Sequence, residues 1–256
     1  SEEEIYKYTD VGDLKKFQIL SSVPSNSQLT LAGSFDMEEA IICASRYFGS
    51  LPSGNNPFIE PAYLETTFPS EHIKKIIYKG REDKCLAYMI FPGCMKGAED
   101  EIPLDLLAKI LTIRFWNNIR EEKGLVYSIN AQHYSSGTIK NYGTLKIGFG
   151  TDPDIVDYTE ECIMSDILDI KERGINSDEL DVAKKILLTG YGEYLKNNSY
   201  WLGELYSSSL FNINLERIFT CKDDILHVKD EDIQSAACKY LDKNVFLIAM
   251  PEKSDI

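Results

Sequence analysis

The same ending is written twice in this chain. Val11 to Phe35 and Val228 to Met250 follow one plan: an acidic helix start, an amphipathic helix, an asparagine, then a short apolar strand containing Leu and Ala. A helix-strand pair of this size cannot bury its apolar face alone and needs a domain body to lie on. The second copy has such a body before it. The first has none within the sequence, so it is expected to be the tail of a preceding homologous domain in a longer chain. Chance recurrence of helix-then-strand endings in α+β folds is the plainer alternative. Between Leu51 and Pro69 come four prolines, two asparagines and a glycine without periodicity, the composition of a linker. The expected division is residues 1–57, tail plus linker, and 58–256, one complete domain.

Local patterns fill in both parts. Asp10 to Val23 has apolar residues near helical spacing, Leu29 to Phe35 reads as a strand, and Asp36 stands as the N-cap of a helix reaching Phe48. Lys74 to Lys79 and Cys85 to Phe91 read as two strands joined in a hairpin by Gly80-Arg81-Glu82-Asp83. Pro103 opens a helix through Arg120 with a broad apolar face. Leu125 to Tyr134 and Gly143 to Gly150 form a second predicted hairpin. Pro153 to Arg173 and Ser177 to about Asn197 are long helices split by Gly174, expected to pack antiparallel. Helices over Tyr200–Leu210 and Asp230–Leu241 and a strand from Asn244 to Met250 complete the pattern. Strands in hairpins with helices grouped between them define an α+β fold, a mainly antiparallel sheet packed against several helices.

Composition removes whole classes of function. With 27 Lys and Arg against 41 Asp and Glu the net charge is -14, a field that repels polyphosphate, so nucleic acid is a poor partner. No apolar run approaches the roughly 20 residues of a membrane helix, and Ser-Glu-Glu-Glu at the start opposes a secretory signal. No membrane partner is expected. The six cysteines are scattered without a Cys-x-x-Cys pair, which favours free thiols in a reducing compartment. His72, His133 and His227 lie far apart, and none has a second His or Glu placed for a zinc-binding helix face. Nucleotide loops and the Gly-x-Ser-x-Gly nucleophile turn are absent as well.

One stretch suggests chemistry: Phe115-Trp116-Asn117-Asn118-Ile119-Arg120-Glu121-Glu122-Lys123-Gly124-Leu125-Val126-Tyr127-Ser128. It ends a helix and begins a strand, so a tight Lys-Gly turn could bring Arg120 and Tyr127 toward one ligand. A guanidinium can donate to peptide carbonyls, and a phenol can donate to an oxygen that becomes negative in a tetrahedral intermediate. The structural alternative gives Arg120 to the helix dipole and Tyr127 to a half-buried strand position.

This stretch resembles the Arg-Glu-x-x-Gly-x-x-Tyr signature of the pitrilysin/insulinase family of zinc metallopeptidases. Leu31 to Asp36 with the helix to Phe48-Gly49-Ser50-Leu51-Pro52 is similar to that family's recurrent domain ending. Ile175 to Leu180 with Ala183-Lys184-Lys185 resembles its junction between two long helices, and Asp230 to Met250 fits the same pattern, so the resemblance spans nearly all the chain. It implies a domain of the LuxS/pitrilysin metalloenzyme type in the C-terminal half, which carries no zinc. Arg120 and Tyr127 would hold a peptide substrate across a chamber. Zinc, its water and the general base would belong to a homologous zinc-bearing half, on the same chain or a partner subunit. A proteolytically inactive member serving as scaffold or partner subunit is the alternative.

Overall fold

The computed structural model describes residues 7, 10–21, 24, 27–51, 66–80, 83–137, 139, 141–211 and 213–252. The chain divides into two compact units, 1–64 with 197–206, and 65–196 with 207–256. Most of the proline-rich stretch, 52–65, lies outside the described residues.

In the first unit, α1 spans Val11–Ser21 and α2 spans Met37–Tyr47. Asp36 caps α2 as its sequence position predicts, its carboxylate accepting from the Glu39 amide at 2.8 Å. None of the α2 residues is buried, and Leu29 and Leu31 are 46% and 48% exposed. The predicted strand from Leu29 to Phe35 is not formed. Among the described residues no strand pairs with this segment, and a lone extended segment gains no ladder to hold it as a strand.

The second unit is built on one five-stranded sheet. Its strands are β1 Ile73–Gly80, β2 Cys85–Pro92, β3 Ser128–Ser135, β4 Gly143–Thr151 and β5 Val245–Pro251. Their order is β1-β5-β2-β4-β3, and every pairing is antiparallel except β1 with β5. The second predicted hairpin is present as β3-β4, with β3 starting at Ser128. The first is not a hairpin: β5 inserts between β1 and β2, pairing with both. Residue chemistry explains the exchange. Val245 to Met250 is apolar throughout and suits a strand with neighbours on both sides, whereas β1 carries Lys74, Lys75 and Lys79, which suit an unpaired edge.

Helices cover one sheet face. α3, Glu101–Phe115, buries Leu104, Leu107, Leu111 and Phe115 and packs on β3; with α4, Val156–Arg173, and α8, Asp230–Tyr240, it closes the core over Met89, Phe91, Ile147, Phe149, Phe246 and Ile248. α5, Ser177–Tyr194, starts at an Asn176-Glu179 capping box after the Gly174 turn, φ +77°. The long helices α4 and α5 do not lie along one another as expected. The extended Gly174-Ile175-Asn176 link lets α5 pack on α3 and on α7, Arg217–His227, while α4 packs on α3 and α8. α6, Asn198–Phe211, runs from the first unit into the second. Among the described residues no helix is long and apolar enough to cross a membrane.

Candidate functional site

α3 does not stop where its α-helical hydrogen bonding ends. Trp116–Glu122 continues it as a π-helix, a wider turn whose short insertions recur at functional sites. The segment is anchored on its inner side. Ile119 is fully buried, Asn118 Nδ2 donates to Asp166 Oδ1 on α4 at 3.1 Å, and Lys123 Nζ lies 3.6 Å from the Cys162 sulfur. Asp166 keeps its other oxygen buried without a partner, and burial raises its pKa above the usual carboxylate range. Gly124 then adopts φ +65°, and the amides of Gly124 and Leu125 donate back to the carbonyls of Arg120 and Ile119 at 3.1 and 3.0 Å. A residue with a Cβ is strained in that conformation, which accounts for glycine at the turn.

The two predicted residues flank this turn with different partners. Arg120 stacks on Trp116, its guanidinium carbon 3.7 Å from the ring centroid. Tyr127, 49% exposed, donates its hydroxyl to Asp152 Oδ1 at 2.5 Å, and Lys84 Nζ lies over its ring at 4.3 Å. The bond to Asp152 raises the phenol's pKa. Tyr127's amide donates to the Gly150 carbonyl at 2.8 Å, and Thr151 Oγ1 donates to the Leu125 carbonyl at 2.6 Å, so the strand head is tied to the end of β4. Sequence reasoning singled out Arg120 and Tyr127 but not the neighbours they rest against, Trp116 and Asp152. Trp116 could have been found as the residue one helical turn before Arg120; Asp152 is brought in only by strand pairing.

The three histidines do not converge. His72 lies 3.9 Å from Glu160, and His227 Nδ1 donates to the Asp223 carbonyl at 2.6 Å. His133, its side chain 1% exposed, places Nδ1 2.8 Å from Asp105 Oδ1 and Nε2 3.8 Å from the Cys94 sulfur. Since a carboxylate only accepts, Nδ1 is assigned the proton and Nε2 accepts from the thiol. The line Cys94-His133-Asp105 has the connectivity of a nucleophile, base and orienting carboxylate. Its chemistry is the reverse of activation, because burial, with the nearby Glu101, Asp100 and Asp105, pushes the thiol up to about 12. It ties the loop after β2 to β3 and α3. These residues do not fit zinc: among the described residues no three His, Cys, Asp or Glu side chains group as a metal site.

Residues 10–187 match the model of the Peptidase M16 inactive domain, and the chain belongs to that family. This bears out the resemblance to the pitrilysin/insulinase peptidases. Solved structures share the fold. A protease from Helicobacter pylori has a TM-score of 0.85 at 17% identity, over 96% of this chain and 60% of its own. The peptidase M16 inactive domain from Pseudomonas fluorescens has a TM-score of 0.78 at 20% identity, over 97% and 60%. The first half of the periplasmic protease PqqL from Escherichia coli has a TM-score of 0.75 at 16% identity, over 96% and 56%. The chain thus spans about 60% of the length of the first two. No curated protein matches it at the level of sequence.

Proposed function

We propose that this chain is the substrate-gripping part of a zinc metallopeptidase whose metal half lies outside these residues. Arg120 and Tyr127 contact a bound peptide in this reading. The observation that carries it is the state of Arg120: an exposed helix end presents a guanidinium with no carboxylate partner among the described residues, beside a strand head carrying a phenol. A dipole-capping arginine would not need the adjacent tyrosine, and a structural ion pair would have a carboxylate. Tyr127's hydroxyl would have to turn from Asp152 to a peptide oxygen as charge develops there. Family membership and the protease folds of the relatives support the same direction. Residues 1–57 are proposed to complete a preceding homologous domain, as their exposed Leu29 and Leu31 suggest.

The test is kinetic, on this chain assembled with its zinc-bearing half. Tyr127→Phe is expected to lower turnover by on the order of 100-fold with a smaller change in KM, as loss of one oxyanion donor does. Arg120→Ala should weaken binding as well as turnover, and Arg120→Lys should rescue poorly because an ammonium lacks the planar fork. Wild-type kinetics in folded Arg120→Ala and Tyr127→Phe proteins would leave both residues structural and shift the reading to a scaffold subunit.

A further inference from the structure

Among the described residues Arg120 has no carboxylate partner, and its guanidinium lies over the Trp116 ring. Arg114, Arg173 and Arg217 each sit against a carboxylate, and the net charge of -14 supplies many, yet among the described residues Arg120 lies against an indole instead. A guanidinium laid on a ring has its plane fixed by that ring, while all its N–H donors remain in the plane and point past the ring's edge. Stacking therefore orders the side chain without using up a single hydrogen-bond donor. An ion pair would order it too, but would occupy the fork.

The platform itself is held. Phe115 and Ile119, on either side of Trp116 along the chain, are fully buried, and Asn118 is tied to Asp166. Trp116 is 42% exposed, so core packing does not account for an indole at this position. We infer that Trp116 is a positioning residue for Arg120, holding the guanidinium flat for in-plane oxygen acceptors, the backbone carbonyls or terminal carboxylate of a bound peptide. This rests on the reading that Arg120 grips substrate. If Trp116 merely covered the arginine's aliphatic stem, a leucine would serve as well. An ordered long side chain has less conformational freedom to lose on binding, and this is expected to contribute about three- to tenfold in affinity.

The experiment uses the assembled enzyme and a fluorescein-labelled, unstructured casein peptide, offered with a free and with an amidated C-terminus. Equilibrium anisotropy gives binding, and steady-state kinetics give KM and kcat, for Trp116→Leu, Trp116→Phe, Arg120→Ala and Trp116→Leu with Arg120→Ala. Trp116→Leu should weaken binding three- to tenfold and act on KM more than on kcat, Trp116→Phe should restore most of it, and the double variant should bind no worse than Arg120→Ala alone. A loss confined to the free-acid peptide identifies the acceptor as the carboxylate; an equal loss for both peptides identifies the backbone carbonyls. Should Trp116→Leu fail to fold, Trp116→Gln carries the same comparison with Trp116→Phe. If Arg120→Ala weakens binding while Leu and Phe at position 116 behave alike, the platform is refuted and the grip stands. If Arg120→Ala binds as wild type, both fall together.

Discussion

Cys94 directs its proton at His133, whose other ring nitrogen is committed to Asp105, and burial keeps that thiol neutral. Among the other acids raised in the same direction, Cys221 is pushed up to about 11, mainly by burial, and Tyr240 to about 12, by burial and then by its bond to Asp100. Each retains its proton in the folded chain at pH values where the unfolded chain, at roughly 8.5 for Cys and 10 for Tyr, gives it up. The unfolded state then binds fewer protons, so stability is fully present below about pH 8.5 and declines as pH rises toward 12. Urea unfolding at stepped pH should show that alkaline decline, and Cys94→Ala with Cys221→Ala should make it shallower. The same burial predicts thiol labelling in which Cys43 and Cys238, both exposed, react ahead of Cys85, Cys94 and Cys162. Rapid modification of Cys94 in the folded chain would contradict the picture of a disarmed thiol.

At the scale of elements, Arg114 joins three helices. Its Nε and one terminal nitrogen form a fork on Glu179 at 2.5 and 2.9 Å, and the other terminal nitrogen reaches Asp169 at 3.0 Å, so α3, α5 and α4 meet at one guanidinium. Glu179 also closes the capping box of α5, and the arginine holds its pKa below the usual range against the opposing effect of burial. Arg114→Ala would leave two carboxylates in a partly buried site without their cation. The expected loss is on the order of 2–4 kcal/mol in urea unfolding, larger than an exposed pair gives; a loss below about 1 kcal/mol would reduce the network to surface decoration. Helices were the legible part of this fold, because Asp36, Gly174 and the spacing of Leu104, Leu107 and Leu111 act within a few residues of where they stand. Arg114's partners lie 55 and 65 residues away, and nothing local announces them. The π-helix was illegible for another reason: Trp116 to Glu122 carries ordinary helix-forming residues, and the wider turn comes from fitting Ile119 into the core while the chain reverses at Gly124. Arg120 and Tyr127 could be picked out as a pair, but their resting partners, a ring one turn back and a carboxylate beyond β4, depend on tertiary placement.

At the scale of the whole molecule, the two similar endings differ in how far their apolar residues are covered. Phe246 and Ile248 are fully covered in the sheet of the second unit, whereas Leu29 and Leu31, which hold the matching place in the first ending, stay about half exposed. Changing both leucines to aspartate should therefore leave the melting temperature of this chain within about a degree, since exposed substitutions cost little. The same change in a longer protein containing the proposed preceding domain should lower it by several degrees; a marked drop in the present chain would mean that the segment already has its partner here. The sheet order has a further consequence, in time instead of space. β5 is the last strand in sequence yet the second in the sheet, seated between the first two. A chain emerging from the ribosome can zip β2, β4 and β3 together early, but Ile73 must wait for Val245 before it has any strand partner, and meanwhile β1 and the outer edge of β2 stand open. The three lysines of β1 then act as guards during synthesis, discouraging pairing with a neighbouring nascent chain until the final strand arrives to close the gap.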